Sequence, residues 1–326
     1  MKSNNLTEEK RVLSSDELIE KHKDYELEFV MDNYIVKGAN NFLTAEGGTG
    51  KTRFSLCLSY SLLYGLTSYL DSNLRLEGNV LYLNFEMDEP QFKVIAEPIN
   101  NYYKTISIEK SKEFYIYTFA GNSQYSLGEI EQEIKVHNVK LVIIDSFKGF
   151  MSRLMLEKKM SRLDNLNSYA FFDMLNNWKR KLGVTTLTIN HTNKGTSQFK
   201  TSGDIAFGPS SIRDFMDHQF FLRYASDNKS PERLMILDKT RFSANGNNDN
   251  LITLLEDQRG LRFEITKRGI NEDAYMIKRK PHPKTQEIIE LINQGKTYLE
   301  ITAILNVSKQ IISSVKKQMS KTEDML

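Results

Sequence analysis

Residues 45–53, Ala45-Glu46-Gly47-Gly48-Thr49-Gly50-Lys51-Thr52-Arg53, have the composition of a loop that cradles phosphate. Such a loop turns successive backbone N–H groups toward phosphate oxygens at a helix N-terminus, where the dipole favours an anion. Gly47, Gly48 and Gly50 let the backbone take the required conformations without a clashing Cβ. Lys51 is placed to reach the β and γ phosphates, and Thr52 to offer its hydroxyl to Mg²⁺. Ala45 replaces the first glycine of the usual pattern, at little cost where ordinary strand dihedrals suffice. A dinucleotide fingerprint is excluded, because Arg53 stands where its third glycine would be.

Two carboxylates complete the chemistry. Asp145 ends the apolar run "VKLVIID", where it can hold Mg²⁺ through water together with Thr52. Glu86 ends "VLYLNFE" and is the candidate base that polarises an attacking water. A helix-start glutamate favoured by the dipole is its alternative reading.

These residues need a scaffold that lines them up. "NNFLTA", "NVLYLNF", "FYIYTF", "VKLVIID" and "VTTLTIN" read as strands, and helical patterns alternate with several of them. The expected fold class is α/β, a mostly parallel twisted sheet flanked by helices whose crevice lies at the carboxyl ends of the strands. "QFFLRY" and "RLMILDK" read as further strands, and "NLITLLED" and "GLRFEIT" as antiparallel hairpins at one edge. Ser14 and Glu17 have capping-box spacing, and Asp88 can cap a helix with Pro90 in its first turn.

The expected organisation is a polar arm over 1–30, an ATPase domain over 31–277, a linker over 278–284 and a small all-α domain over 285–326. The linker "KRKPHPK" holds two prolines among basic residues. In the last segment, Leu299 to Leu305, the turn at Asn306 and a helix capped by Ser308 form a helix-turn-helix pattern. It leaves Lys309, Gln310, Ser313, Lys316 and Lys317 outward, as a groove-reading helix requires. Residues 278–326 carry nine Lys or Arg against five Asp or Glu, a net of +4, while the whole chain of 326 residues has +2. The low overall charge excludes a basic nucleic-acid coat but allows local contact. The same module also docks proteins. A single cysteine, Cys57, among apolar residues excludes an internal disulfide and points to a reduced, cytoplasmic setting. No apolar run of about 18 residues occurs, so no membrane span is expected.

The order "GGTGKT", strand plus Glu86, "LVIIDS", then "TINHTNKG" resembles the RecA-type P-loop ATPases over roughly residues 30 to 265. The similarity is to the RepA family of plasmid replicative hexameric helicases and, more distantly, to the DnaB-type replicative helicases. It implies ATP and Mg²⁺ as cofactors, a homo-oligomeric ring (a hexamer), and DNA as partner. Glu86 is then the catalytic glutamate, and Asn190 and His191 the polar sensor that links phosphate state to the loop beyond. In that loop, Lys194, Phe199 and Lys200 are expected to meet single-stranded DNA in the channel. In "LMILDKTRFSANGN", Lys239 and Arg241 stand one residue apart, so on one strand face, and match the motif that reaches a neighbouring subunit's γ phosphate. Arg213 is the second candidate for that role. The implied function is an ATP-hydrolysing helicase or translocase in the replication of a plasmid, phage or mobile element. A non-unwinding regulatory or helicase-loading ATPase, or a recombinase-like strand-binding ATPase, are the alternatives.

Overall fold

The structure is a computed structural model. It describes residues 12–107, 109–120, 126–159, 165–193, 201–202, 205–209, 212–225, 231–242, 252–256, 259–275, 283–313 and 315–316. Two compact units divide the chain, Met1–Met276 and Ile277–Leu326.

The first unit opens with helix α1 (Ser15–Lys21), closed by the Ser14/Glu17 capping box, and a small hairpin of β1 (Phe29–Met31) and β2 (Ile35–Val36). Val30 and Met31 are already core residues, so packing begins at the end of the segment expected as a polar arm. Next come β3 (Asn40–Ala45), α2 (Lys51–Leu63), a second small hairpin of β4 (Ser68–Tyr69) and β5 (Ser72–Asn73), β6 (Asn79–Asn84), α3 (Glu89–Ile106) and β7 (Phe114–Thr118). Asp88 caps α3 through its Oδ1, which accepts from the Gln91 N–H at 2.9 Å. The chain continues through α4 (Ile130–Val136), β8 (Val139–Asp145), α5 (Phe147–Glu157), α6 (Asn165–Leu182), β9 (Thr185–His191), α7 (Ile212–Phe215) and β10 (His218–Tyr224). It closes the unit with β11 (Glu232–Thr240), β12 (Ile252–Glu256) and β13 (Phe263–Arg268).

Among the described residues nine strands form one sheet in the order β13-β12-β11-β10-β3-β9-β8-β6-β7. The run from β10 to β7 is parallel, and β11, β12 and β13 add antiparallel at the other edge. The fold is therefore α/β with a mostly parallel sheet flanked by helices. Alternating side chains of each central strand feed two cores on opposite faces. Leu141 and Ile143 of β8 pack toward α2 and α3, whereas Val142 and Ile144 pack toward α4, α5 and α6. Helix α2 is buried nearly all round, and its serines are accommodated by bonding to the preceding turn, as Ser59 Oγ does to the Ser55 carbonyl at 2.8 Å. Helix α5 was not expected; Phe147, Phe150, Met151 and Leu154 give it an inward face at helical spacing.

The second unit contains α8 (Thr285–Asn293) and α9 (Tyr298–Leu305), followed by helical residues 309–313. Ile288, Ile301, Leu305, Val307, Ile312 and Val315 form its core. Asn306 adopts the left-handed conformation (φ 48°) that turns the chain after α9, and Ser308 Oγ accepts from the Ile311 N–H at 3.4 Å. Leu299 and Ile304 of α9 remain exposed.

Candidate active site

Parallel register brings the site together. Ala45 of β3 pairs with His191 of β9, Asp145 of β8 with Ile189 of β9, and Asn84 of β6 with Asp145. The carboxyl ends of four neighbouring strands therefore carry the phosphate loop, His191, Asp145 and Glu86 side by side, in the crevice where open α/β sheets bind ligands.

The loop between β3 and α2 holds its own shape. Lys51 Nζ donates to the Glu46 carbonyl at 2.8 Å and the Ala45 carbonyl at 3.3 Å, and Thr49 Oγ1 donates to the Glu46 carbonyl at 2.9 Å. Gly48 (φ 78°) and Gly50 (φ 97°) take the left-handed conformation, while Gly47 does not. A glycine requirement thus falls on two of the three positions where it was expected. At Gly48 it is doubled, because an added Cβ would stand 2.9 Å from the Tyr224 hydroxyl. Gly50 is the N-cap of α2, with no side-chain cap and no acidic residue in the first turn to compete with an anion. Burial pulls the Lys51 ammonium down from its usual range, and Asp145, Glu86 and Glu46 pull it back up. Burial also raises Glu46, against the pull of Arg223 and Lys51. Arg53, the last residue of the expected loop, lies in the first turn of α2 against Gly260 of the loop before β13, whose added Cβ would collide with its guanidinium.

Asp145 Oδ2 accepts from Thr52 Oγ1 at 2.7 Å and from the Tyr82 hydroxyl at 2.5 Å. Its Oδ1 is buried with no hydrogen-bond partner among the described residues. Burial raises this carboxyl above its ordinary range despite both hydrogen bonds. A buried carboxylate oxygen left unpaired beside a threonine hydroxyl supplies oxygen ligands of the kind a nucleotide-bound Mg²⁺ takes, with Lys51 nearby to pair with the phosphates, so the residues present fit that group.

Glu86 follows β6 and is positioned by Asn84, whose Oδ1 accepts from the Glu86 N–H at 3.3 Å and the Met87 N–H at 3.1 Å. Its Oε1 lies 3.0 Å from His191 Nε2 and accepts from Ser146 Oγ at 2.5 Å. The bond with His191, then that from Ser146, holds the carboxyl down at about 2 against the opposing effect of burial. The Asp145–Ser146 peptide is cis. His191 begins an excursion that returns to itself. Asn190 Nδ2 donates to the Phe207 carbonyl at 3.0 Å, the Phe207 N–H to the His191 carbonyl at 2.6 Å, and the Asn193 N–H to the Ile205 carbonyl at 2.7 Å. On the returning side, Glu272 Oε1 accepts from Thr201 Oγ1 at 2.6 Å and from Arg223 Nη1 at 2.5 Å, both charged side chains being buried. Lys194, Phe199 and Lys200, expected on this loop, lie outside the described residues.

Lys239 and Arg241 are not brought to the loop of their own chain. Strand β11 runs antiparallel to β10, so its first residues neighbour the phosphate loop and its last pair with His218 and Gln219 at the opposite end of the sheet. The strand ends at Thr240, and the register shifts opposite Gln219 and Phe220, so Arg241 lies just beyond the strand rather than on a shared strand face. Arg213 does join the two. Its guanidinium meets Asp238 at 3.3 Å, its carbonyl accepts from Lys239 Nζ, and Arg241 meets Asp217 at 3.7 Å. Burial first, then Arg241 and Arg213, lower the Lys239 ammonium.

In the second unit Lys309, Gln310 and Lys316 are exposed and Ser313 is half-buried; Lys317 lies outside the described residues. The residues that sequence reasoning missed are the partners: Ser146, Tyr82 and Asn84, with Tyr224 and Arg233 beneath the loop. Only Ser146, adjacent to Asp145, carried a local signal.

Residues 7–197, more than half of the chain, match the model of a family described as an AAA domain. A KaiC-like protein from the hyperthermophilic archaeon Pyrococcus horikoshii OT3 superposes with a TM-score of 0.48 at 17% identity, covering 73% of this chain and 94% of that one. No curated protein matches the chain. With its phosphate loop at the carboxyl end of the central strand β3 of a mostly parallel sheet, and Asp145 and Glu86 at the same ends of β8 and β6, the chain belongs to the AAA domain family and is a P-loop ATPase.

Proposed function

We propose that the protein is an ATP-hydrolysing, ring-forming DNA helicase or translocase that serves replication of a plasmid, phage or mobile element. The observation that carries this reading is the clasp of Glu86 by His191 at the root of the 191–207 excursion. A motor needs its hydrolytic base to answer to the strand it moves along, and this hydrogen bond ties Glu86 to the strand that leads into the segment proposed to meet DNA.

Lys51 and the N–H groups of the loop bind the triphosphate. Thr52 and Asp145 would hold Mg²⁺, which supplies charge neutralisation at the β and γ phosphates. Among the described residues no group of three or more His, Cys, Asp or Glu could hold a metal unaided, which suits an ion that arrives with its nucleotide. Glu86 polarises the attacking water. While bound to His191 and Ser146 its carboxylate is a weak base, being held near 2. Displacement of His191, as the excursion engages DNA, releases that carboxylate and raises its basicity. Arg241, with Lys239 or Arg213, stabilises the transferring phosphoryl group of the adjacent subunit. The separation of these cations from their own loop supports a role across a subunit boundary.

A second reading, a regulatory or loading ATPase that binds a DNA site without unwinding, is favoured by the C-terminal unit, with the helix-turn-helix order of its helices and its exposed Lys309 and Lys316. Strand displacement on forked DNA with ATP and Mg²⁺ separates the two. The motor reading expects unwinding that a Lys51→Ala variant lacks. ATP hydrolysis without displacement on either fork polarity would leave the regulatory reading. Among the described residues no helix is long and apolar enough to cross a membrane.

A further inference from the structure

Tyr224 and Arg233 are the cross-strand pair that ends the β10–β11 ladder beside the phosphate loop. The contacts that fix the Arg233 guanidinium, whose residue is only 5% exposed, include two hydrogen bonds and a ring. Nε donates to the Thr49 carbonyl at 2.9 Å, Nη1 donates to the Glu232 carbonyl at 3.1 Å, and the plane lies over the Tyr224 ring at 4.4 Å. The Tyr224 hydroxyl in turn fills the space that a side chain at Gly48 would need.

The Thr49–Gly50 peptide is trans, so its C=O and N–H point in opposite directions. A cation that draws the Thr49 carbonyl to one side therefore commits the Gly50 N–H to the other. Gly50 has φ 97°, a conformation that glycine adopts without a Cβ penalty, so nothing in its own side chain fixes this peptide plane. A planar, forked, permanently charged group stacked on a ring suits this task, and a flexible ammonium does not.

We propose that Arg233, seated on Tyr224, is a positioning residue for nucleotide binding that presets the Thr49–Gly50 peptide for phosphate. This rests on the assignment of residues 45–52 as the nucleotide site. Because the brace acts on the loop and touches neither the attacking water nor Glu86, its loss weakens ATP and ADP alike. It raises KM far more than it lowers kcat.

The test uses the full-length chain with Mg²⁺ and fluorescent ATP and ADP, with steady-state hydrolysis alongside. Arg233→Met should weaken both nucleotides about ten- to a hundredfold, the range of a hydrogen bond to a charged group. Its kcat at saturation should stay within about threefold of wild type. Arg233→Lys should restore only part of the affinity, and Tyr224→Phe, which keeps the ring, nearly all of it. Should Arg233→Met fail to fold, Tyr224→Leu removes the stacking surface and should weaken both nucleotides severalfold while retaining a cooperative melt. A folded Arg233→Met or Tyr224→Leu with wild-type affinity overturns the brace, as does loss of kcat at unchanged affinity. Failure of the wild-type chain to bind nucleotide removes the site itself, and the brace with it.

Discussion

His191 Nε2 lies 3.0 Å from Glu86 Oε1, across 105 residues of sequence, and the same Glu86 oxygen accepts from Ser146 Oγ at 2.5 Å. A single carboxylate oxygen is thus shared by the strand that leads into the excursion and by the residue that follows Asp145 and is the N-cap of α5. Glu86→Gln keeps the shape but removes the base. It should bind ATP with near-normal affinity while turnover falls about a hundredfold or more, read by single-turnover hydrolysis. Loss of nucleotide binding instead would make Glu86 structural.

His191→Ala releases Glu86 without touching the phosphate loop. Basal hydrolysis should rise severalfold, and the ratio of DNA-stimulated to basal rate should fall toward one. An unchanged ratio would detach His191 from coupling.

Lys51→Ala removes the cation at the phosphate loop and should abolish turnover with the fold intact, checked by circular dichroism. Mixed with Arg241→Ala, it tests the shared site. Each variant alone should be nearly inactive, whereas co-assembled mixtures should regain a fraction of hydrolysis that disappears on dilution. If the two variants co-sediment with ATP and single-stranded DNA yet no activity returns, Arg241 does not act across subunits, and Arg213 is the next residue for the same test.

Acid should destabilise the ATPase unit through His218. Burial lowers this imidazole to about 4 from an ordinary 6.5, against the pull of its bond to the Asn33 carbonyl and of Asp217. Between those two values the unfolded chain takes up a proton that the folded chain refuses. Stability is therefore retained above pH 6.5 and lost as pH falls toward 4, by up to about 3 kcal/mol. Urea unfolding at pH 7 and pH 5 should show a smaller difference for His218→Gln than for wild type. Equal differences would place the acid sensitivity elsewhere.

Lys309→Glu and Lys316→Glu, at exposed positions of the C-terminal unit, should weaken binding to duplex DNA and reduce its salt slope by about one per cation removed. Unchanged duplex affinity would point to a protein-docking role.

The local features were legible in the sequence because each is closed within a few residues. The phosphate loop, the capping box at Ser14 and Glu17 and the Asp88 cap depend on neighbours three or four positions away. The apolar runs of β6, β8 and β9 announced strands buried on both faces, and so the α/β class. The inward residues of α5 had helical spacing too, but a short apolar run after a strand does not declare where one element ends. What only the tertiary structure decided is partnership. Register between parallel strands has no local signature, since a slip of two residues leaves the inward faces unchanged. Yet that register sets His191 against Glu86 and Asp145 against Thr52 and Tyr82. The antiparallel turn of β11 likewise sent Arg233 beneath the loop and Lys239 and Arg241 to the far end of the sheet, a separation of roles that their spacing along one strand could not reveal.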